Sequence, residues 1–250
     1  MTESAHIELT GVEVAHETQR TSAVLHSVDW AIKPGERWAV SGKRSSGKTS
    51  LLYTGAGLIA PVTGSLMTFG QAYWQSSEAE KLKLGRRIGF VFDEGGRLFA
   101  HMNILENLIL PLQYHTECDH YTARQRALEL LAWVELEAAA SLAPARLATA
   151  LRRRVALARA LTQPVEVLFL DAPLVGLPPE DVQWWLELLS GLSNREETDG
   201  GPVSIVTSCF NLSAWLDWAD HFAVLHDGYL QPVSDSEAQV MSGPRSDNRA

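Results

Sequence analysis

The chain has 250 residues, 46% hydrophobic and 20% charged, enough apolar material for a sizeable core in one large domain or in a core with an inserted subdomain. With 30 acidic against 21 basic residues the formal charge is −9, which disfavours a general nucleic-acid binder because neutralising phosphates takes clustered Lys and Arg. The two cysteines, Cys118 and Cys209, are far apart and lack metal-ligand spacing. That argues against a disulfide scaffold or a Cys-type zinc site and fits a reducing cytosol.

The first residues carry no basic stretch followed by an apolar run, so no secretory signal is expected. No apolar run approaches the roughly 18 residues of a membrane span, so any membrane association has to come through a partner. Short alternating strands are expected at His6–Leu9, Val12–Ala15 and Ala23–Ile32, followed by a turn at Pro34-Gly35 and a strand at Arg37–Ser41. A Gly- and Ser-rich loop then leads into a helix over Lys48–Leu58. Ser65–Phe69 and Arg87–Phe92 read as a strand pair. From Ile104 to Leu161 the pattern turns helical, with helices at Ala123–Val134 and Leu151–Leu161. Strands return at Val167–Leu170, Ser204–Thr207 and Phe222–Leu225, with a helix over Glu180–Leu192, and Ser242–Ala250 reads as a fraying tail.

Gly42-Lys43-Arg44-Ser45-Ser46-Gly47-Lys48-Thr49 matches G-x-x-x-x-G-K-[ST] between an expected strand and an expected helix. The glycines let the backbone curl so that its N–H groups face phosphate, and the helix N-terminus beyond adds positive potential. Lys48 is spaced to reach the β and γ phosphates, and Thr49 to ligate Mg²⁺. Downstream, Val167–Leu170 is an apolar strand ending in Asp171, a carboxylate suited to holding the same Mg²⁺.

Together these stretches resemble the nucleotide-binding subunit of an ABC transporter over nearly the whole chain. Val28–Gly42 resembles the strand-turn-strand entry to the family's phosphate loop, and Gly57–Gly64 its GL-x-x-P-x-x-G. Arg152–Leu161 resembles the helix after the family signature, and Ala219-Asp220-His221 with His226-Asp227-Gly228 its closing strands. The resemblance implies an α/β fold: a RecA-like P-loop core, an antiparallel β-subdomain and a helical insert at about 95–162, all in one cassette spanning 1–250. It implies ATP and Mg²⁺ as ligands, a membrane permease and a second cassette as partners, and a peripheral place on the cytoplasmic face of the inner membrane. Phe99, Met102, Ile104, Leu105, Leu108, Ile109 and Leu110 fall where the family's permease helix docks. The wording Leu105–Leu112 is similar to cassettes of bacterial envelope lipid and lipoprotein traffic, including those paired with MCE-type proteins.

The departures from the family pattern bear on activity. Where the family has LSGGQ, this chain has Leu147-Ala148-Thr149-Ala150-Leu151, read here as an ordinary helix start capped by Thr149. Ala172 stands at the position of the catalytic Glu, Ser208 at that of the switch His, Asp93 at that of the lid Gln, and Pro178 at that of the D-loop Asp. His16 is the nearest match to the adenine-stacking aromatic and reads as a solvated residue. Asp93-Glu94 is a poor substitute base, since like charge on the terminal phosphate opposes it. Arg152-Arg153-Arg154 reads as a solvated helix face, and Trp184, Trp185, Trp215 and Trp218 as packing residues. The leading expectation is an ATP-binding subunit with weak or absent hydrolysis. A scaffold that docks on a permease without nucleotide and an ATPase with an unusual base are the other readings.

Overall fold

Burial in the first strand changes phase part-way. Ile7 and Leu9 point inward, Gly11 is exposed, and Val12 and Val14 point inward again. The computed structural model, which describes residues 4–93, 97–116, 118–195 and 201–242, accordingly joins the two short strands expected there into one bulged strand, β1 (Ile7–Ala15). β1 pairs antiparallel with β2 (Ala23–Ile32) and β4 (Thr63–Thr68), and β5 (Gln71–Ala72) closes a four-stranded sheet of order β2-β1-β4-β5.

A second sheet holds β3 (Arg37–Gly42), β6 (Ile88–Val91), β7 (Val167–Leu170), β8 (Ser204–Cys209), β9 (His221–His226) and β10 (Tyr229–Val233) in the order β10-β9-β3-β8-β7-β6. Strands β9 through β6 run parallel, and β10 returns antiparallel on β9. Every residue of β7 and β8 is buried, as expected of parallel strands covered on both faces. One face packs with α1 (Lys48–Gly55) against the antiparallel sheet, around Leu51, Leu52, Phe169 and Val206. The other packs against α6 (Pro179–Ser193) through Trp185, Leu189 and Leu192. The stretches expected to pair, 65–69 and 87–92, lie in different sheets, because β4 continues the register of β1 and β6 that of β7.

Between β6 and β7 the chain forms α3 (Ile104–Thr116), α4 (His120–Trp133) and α5 (Thr149–Ala160), which share a separate apolar core. Ile104, Leu108 and Ile109 belong to that core and are buried; Met102 and Leu105 are partly buried. Three of the seven residues placed at the expected docking groove therefore serve the insert's own core. Of the seven, Phe99 and Leu110 are exposed. α2 (Glu78–Gly85) and α7 (Asp235–Ser242) were not expected, although Ser77/Glu80 and Ser234/Glu237 each form a reciprocal capping box legible in the sequence.

The arginine run is also corrected. Arg153 and Arg154 are buried, not solvated: Arg154 pairs with Asp181 at 2.6 Å and lies 3.8 Å from the Trp184 ring centroid. Thr149 does not cap α5. The N-cap is Ala148, with no side-chain bond, and Thr149 Oγ1 instead accepts from Arg152 at 2.9 Å. Trp215 and Trp218 are buried edge to face with centroids 5.1 Å apart, in turns and not in a helix. Ser242, the first residue of the expected tail, ends α7 instead, and residues 243–250 lie outside the described residues.

Candidate nucleotide site

The five parallel strands end on the same side of the core sheet, and residues at the ends of four of them, β3, β6, β7 and β8, meet there. The carboxyl edge of a parallel sheet is where such folds collect ligands. The pocket measures about 480 Å³ and is lined by His16, the loop 44–50, Asp93, Arg153, Asp171, Ala172, Ser208 and Phe210 among others.

The loop from Gly42 to Lys48 is shaped by two glycines. A Cβ on Gly42 would stand 2.6 Å from Ser46 Oγ and 3.1 Å from Leu225 O, so only glycine lets β9 and the loop approach this closely. Gly47, at φ 94°, is the left-handed N-cap of α1 and no side chain caps that helix end. The first N–H groups of α1 therefore face the pocket. Ser46 Oγ is buried with no hydrogen-bond partner among the described residues. A loop of curled backbone, an uncapped helix N-terminus and an orphaned hydroxyl fit a phosphate group.

Lys48 is 8% exposed, and its Nζ donates to Gly42 O and Lys43 O, both at 2.7 Å. Its ammonium also lies 4.7 Å from the Phe210 ring centroid. Burial holds its pKa below the usual lysine range.

Asp171, 4% exposed, receives two hydroxyl bonds. Thr49 Oγ1 donates to Oδ2 at 2.8 Å and Ser208 Oγ donates to Oδ1 at 2.7 Å. Ser208 Oγ in turn accepts from the Ala172 N–H at 2.9 Å. The single hydroxyl proton of Ser208 is thus spent on Asp171, and its oxygen is engaged by the backbone of the next strand end. Burial raises the Asp171 pKa, against the lowering effect of these two hydroxyl bonds. Thr49 and Asp171 form a hydroxyl–carboxylate oxygen pair suited to a hard divalent cation. Ala172, at φ 49°, brings a methyl group and no carboxylate to the pocket.

Asp93 reaches the pocket from the end of β6 but is turned to Arg153, with 3.5 Å between Oδ1 and Nη2. Arg153 also donates to Val175 O at 2.5 Å and Pro173 O at 3.4 Å, which ties α5 to the segment after β7. Glu94, the other residue weighed as a base, lies outside the described residues. His16 is exposed at the rim, where its Nδ1 accepts from Thr18 N at 3.2 Å. Ala148, Thr149 and Ala150 do not line this pocket.

A family model described as ABC transporter matches residues 25–175. The chain belongs to the ABC transporter ATP-binding family. The lipoprotein-releasing system ATP-binding protein LolD of Psychrobacter arcticus is 31% identical over 91% of this chain and 99% of its own length. The intermembrane phospholipid transport ATP-binding protein MlaF of Haemophilus influenzae is 30% identical over 92% of this chain and 86% of its own length. Other relatives are named for sulfate and amino-acid transport. A solved dimeric ATP-binding cassette in a post-hydrolysis state with ADP and Pi matches with a TM-score of 0.79 at 26% identity, covering 91% of this chain and 99% of that one. The cassette is thus an ATP-binding subunit of an ABC transporter with the α/β cassette fold.

The sequence did not single out Phe210 or Arg153 as site residues. Phe210 sits two positions after the switch position, which was the available signal. Arg153 looked like part of a solvated run because burial is decided by which elements pack over α5.

A second concavity, of about 1070 Å³, lies between α2, β6 and α3. Trp74, Leu82, Phe99, Leu110 and Tyr114 expose apolar or aromatic surface there. Lys81, Arg86, Arg97 and Arg159 line it against a single described acid, Glu78.

Proposed function

We propose that this cassette binds Mg-ATP and holds it with little or no hydrolysis. Gly42, Lys43, Arg44, Ser45, Ser46, Gly47, Lys48 and Thr49 receive the phosphates, and Thr49 and Asp171 the metal. Bound Mg²⁺ would neutralise charge between the terminal phosphates. The chain's own residues would bind and orient the nucleotide. The observation that carries the reading is the closed set Thr49–Asp171–Ser208–Ala172. It leaves the metal carboxylate properly held, whereas the positions that would activate water present a methyl group and a hydroxyl already donating elsewhere.

The rest of the reading concerns partners. The cassette works as one unit over 1–250, with its insert at about 95–162, paired with a second cassette of the same or another chain and docked on a permease at the inner face of the cytoplasmic membrane. No helix among the described residues is long and apolar enough to cross a membrane, so the permease supplies the attachment. The aromatic and basic groove around Phe99 and Leu110 supports docking of a permease helix by the helix-in-groove mode. Similarity to relatives named for lipoprotein release and phospholipid transport supports traffic of envelope lipids as the cargo class.

Titration of the purified protein with a fluorescent ATP analogue tests the site. Wild type should bind and Lys48→Ala should weaken binding at least ten-fold, on the scale of a charge-assisted phosphate contact. Steady-state phosphate release, measured with the permease and partner present, should stay far below the roughly 1 per second of ordinary enzymes. Equal binding by both proteins would defeat the site assignment, and brisk release would defeat the claim of weak hydrolysis.

A further inference from the structure

Arg153 is 5% exposed, yet it lines the nucleotide pocket together with Asp93, Asp171 and Ala172. A guanidinium carries five N–H donors in one plane. The two on Nη1 are taken by backbone: Nη1 donates to Val175 O at 2.5 Å and to Pro173 O at 3.4 Å, which fixes the orientation of the group. The charge itself is poorly met. Its printed ion-pair partner, Asp93, stays 3.5 Å from Nη2 and is half exposed, and Nε is buried with no hydrogen-bond partner among the described residues. A seated Arg–carboxylate pair closes to about 2.7–2.9 Å. The next arginine shows the difference. Arg154 also leaves its Nε without a partner, but its charge meets Asp181 at 2.6 Å and Glu135 at 3.2 Å, and it does not line the pocket.

A buried charge is costly unless it is paired and hydrogen-bonded. Arg153 is therefore a rigidly held cation in the pocket wall whose charge is only loosely answered. Its place suits a phosphate chain. Along the carboxyl edge the strands run β3-β8-β7-β6. Lys48 and Thr49 stand at the loop after β3, while Arg153 rests on Pro173 and Val175 after β7 and on Asp93 after β6. Asp171, which Thr49 reaches from the β3 side, lies between these two groups in the chain order of the edge. Phosphates gathered around a metal at Thr49–Asp171 thus meet Lys48 from one strand end and Arg153 from another.

Resting on the reading that this pocket binds nucleotide, we infer that Arg153 is a second phosphate-binding cation of the site, donating from Nη2 to an oxygen of the phosphate chain. Nη2 has two protons. Asp93 keeps one, and its negative charge opposes the phosphate on the other. Arg153 and Asp93 therefore act on nucleotide affinity in opposite directions. A pair that only braced α5 against the strand ends would instead lose the same contact whichever partner was changed.

The test is isothermal titration of the full chain with a non-hydrolysable Mg-ATP analogue. Arg153→Gln, which keeps an N–H for the backbone carbonyls and removes the charge, should weaken binding by about ten-fold or more, the scale of one charge-assisted contact. Asp93→Asn, at a half-exposed side chain, should tighten binding by about three-fold or more. That gain should vanish in the Arg153→Gln background, which separates competition for the guanidinium from general repulsion. Should Arg153→Gln fail to fold, Arg153→Lys replaces it in both measurements: it keeps a charge but loses the fixed Nη2 donor, and a loss of about three-fold or more is expected. Binding by the Arg153 variant within two-fold of wild type overturns the inference. So does an Asp93→Asn protein that binds no tighter than wild type, or a gain that persists undiminished in the double variant. In those cases Lys48→Ala still weakens binding and the loop assignment survives. If wild type does not bind the analogue, or Lys48→Ala changes nothing, the loop assignment itself falls and carries this inference with it.

Discussion

Ser208→Ala deletes one oxygen from the middle of the strand-end network, and its cost can be worked from the bonds it breaks. Ser208 is 0% exposed, so water does not replace the lost hydroxyl. The Ala172 N–H loses its acceptor at 2.9 Å, and Asp171 Oδ1 loses its donor at 2.7 Å. A buried polar group left unsatisfied costs about 1–3 kcal/mol, more where charge is involved. Asp171 still keeps Thr49 on its other oxygen and can relieve part of its loss by taking a proton, which lowers its share. The sum is about 2–4 kcal/mol. In a protein of this size each kcal/mol moves the melting temperature by about 2–4 °C, so a drop of about 5–15 °C is expected. Differential scanning calorimetry in metal-free, nucleotide-free buffer near pH 7.5 reads this directly. Binding of the ATP analogue should change little at 20 °C, because the lost hydroxyl was facing Asp171 and not the phosphates. A melting temperature within 2 °C of wild type, together with weakened analogue binding, would mean that Ser208 serves the nucleotide. The account of why the switch position is silent would then be wrong.

Ala172→Glu alone should leave phosphate release below about 0.01 per second, since groups that act as a unit are far from additive and Ser208 and Asp93 remain committed elsewhere; release at 1 per second or more refutes this. Because burial raises the Asp171 pKa and the metal needs the carboxylate, Mg²⁺ affinity should begin to fall on acidification at a pH above the usual carboxylate range. The same shift means that folding stability from this group is present below its unfolded pKa and is lost as pH rises toward the folded value, a sign opposite to that of the salt-bridged Asp220. Calorimetric Mg²⁺ titrations from pH 4.5 to 7.5 check this, and a flat profile in wild type refutes it. In the groove, Phe99→Glu with Leu110→Glu should release the cassette from membranes carrying its permease and leave the melting temperature nearly unchanged. Leu108→Glu, by contrast, buries a charge in the α3–α4–α5 core and should unfold that part. Membrane fractionation and calorimetry of both proteins separate the outcomes, and retention of the exposed pair's double variant on membranes would reject the groove.

The phosphate loop was legible because its chemistry is local. Glycines at 42 and 47, Lys48 and Thr49 act within one strand-turn-helix unit, and backbone sterics alone dictate its shape. Asp171 was legible because a strand buried on both faces reads as an unbroken apolar run, and the run stops at the carboxylate. The family resemblance followed from the order of such units along the chain, and Ala172 and Ser208 could be placed by that order. Strand partners were not legible. β4 and β6 have similar patterns, and only the registers with β1 and β7 separate them into two sheets. Periodicity marks which residues are apolar but not which layer will cover them. Ile104, Leu108 and Ile109 could equally have faced a partner until α4 and α5 packed on them. The fates of Arg153, Asp93, Ser208 and Phe210 depend on contacts between residues 36 to 162 positions apart, in the pairs Ala172–Ser208, Asp93–Arg153 and Lys48–Phe210. Charge and polarity are properties of a residue, but whether a hydroxyl is free or an ammonium is screened depends on what the folded chain brings within a few ångströms of it.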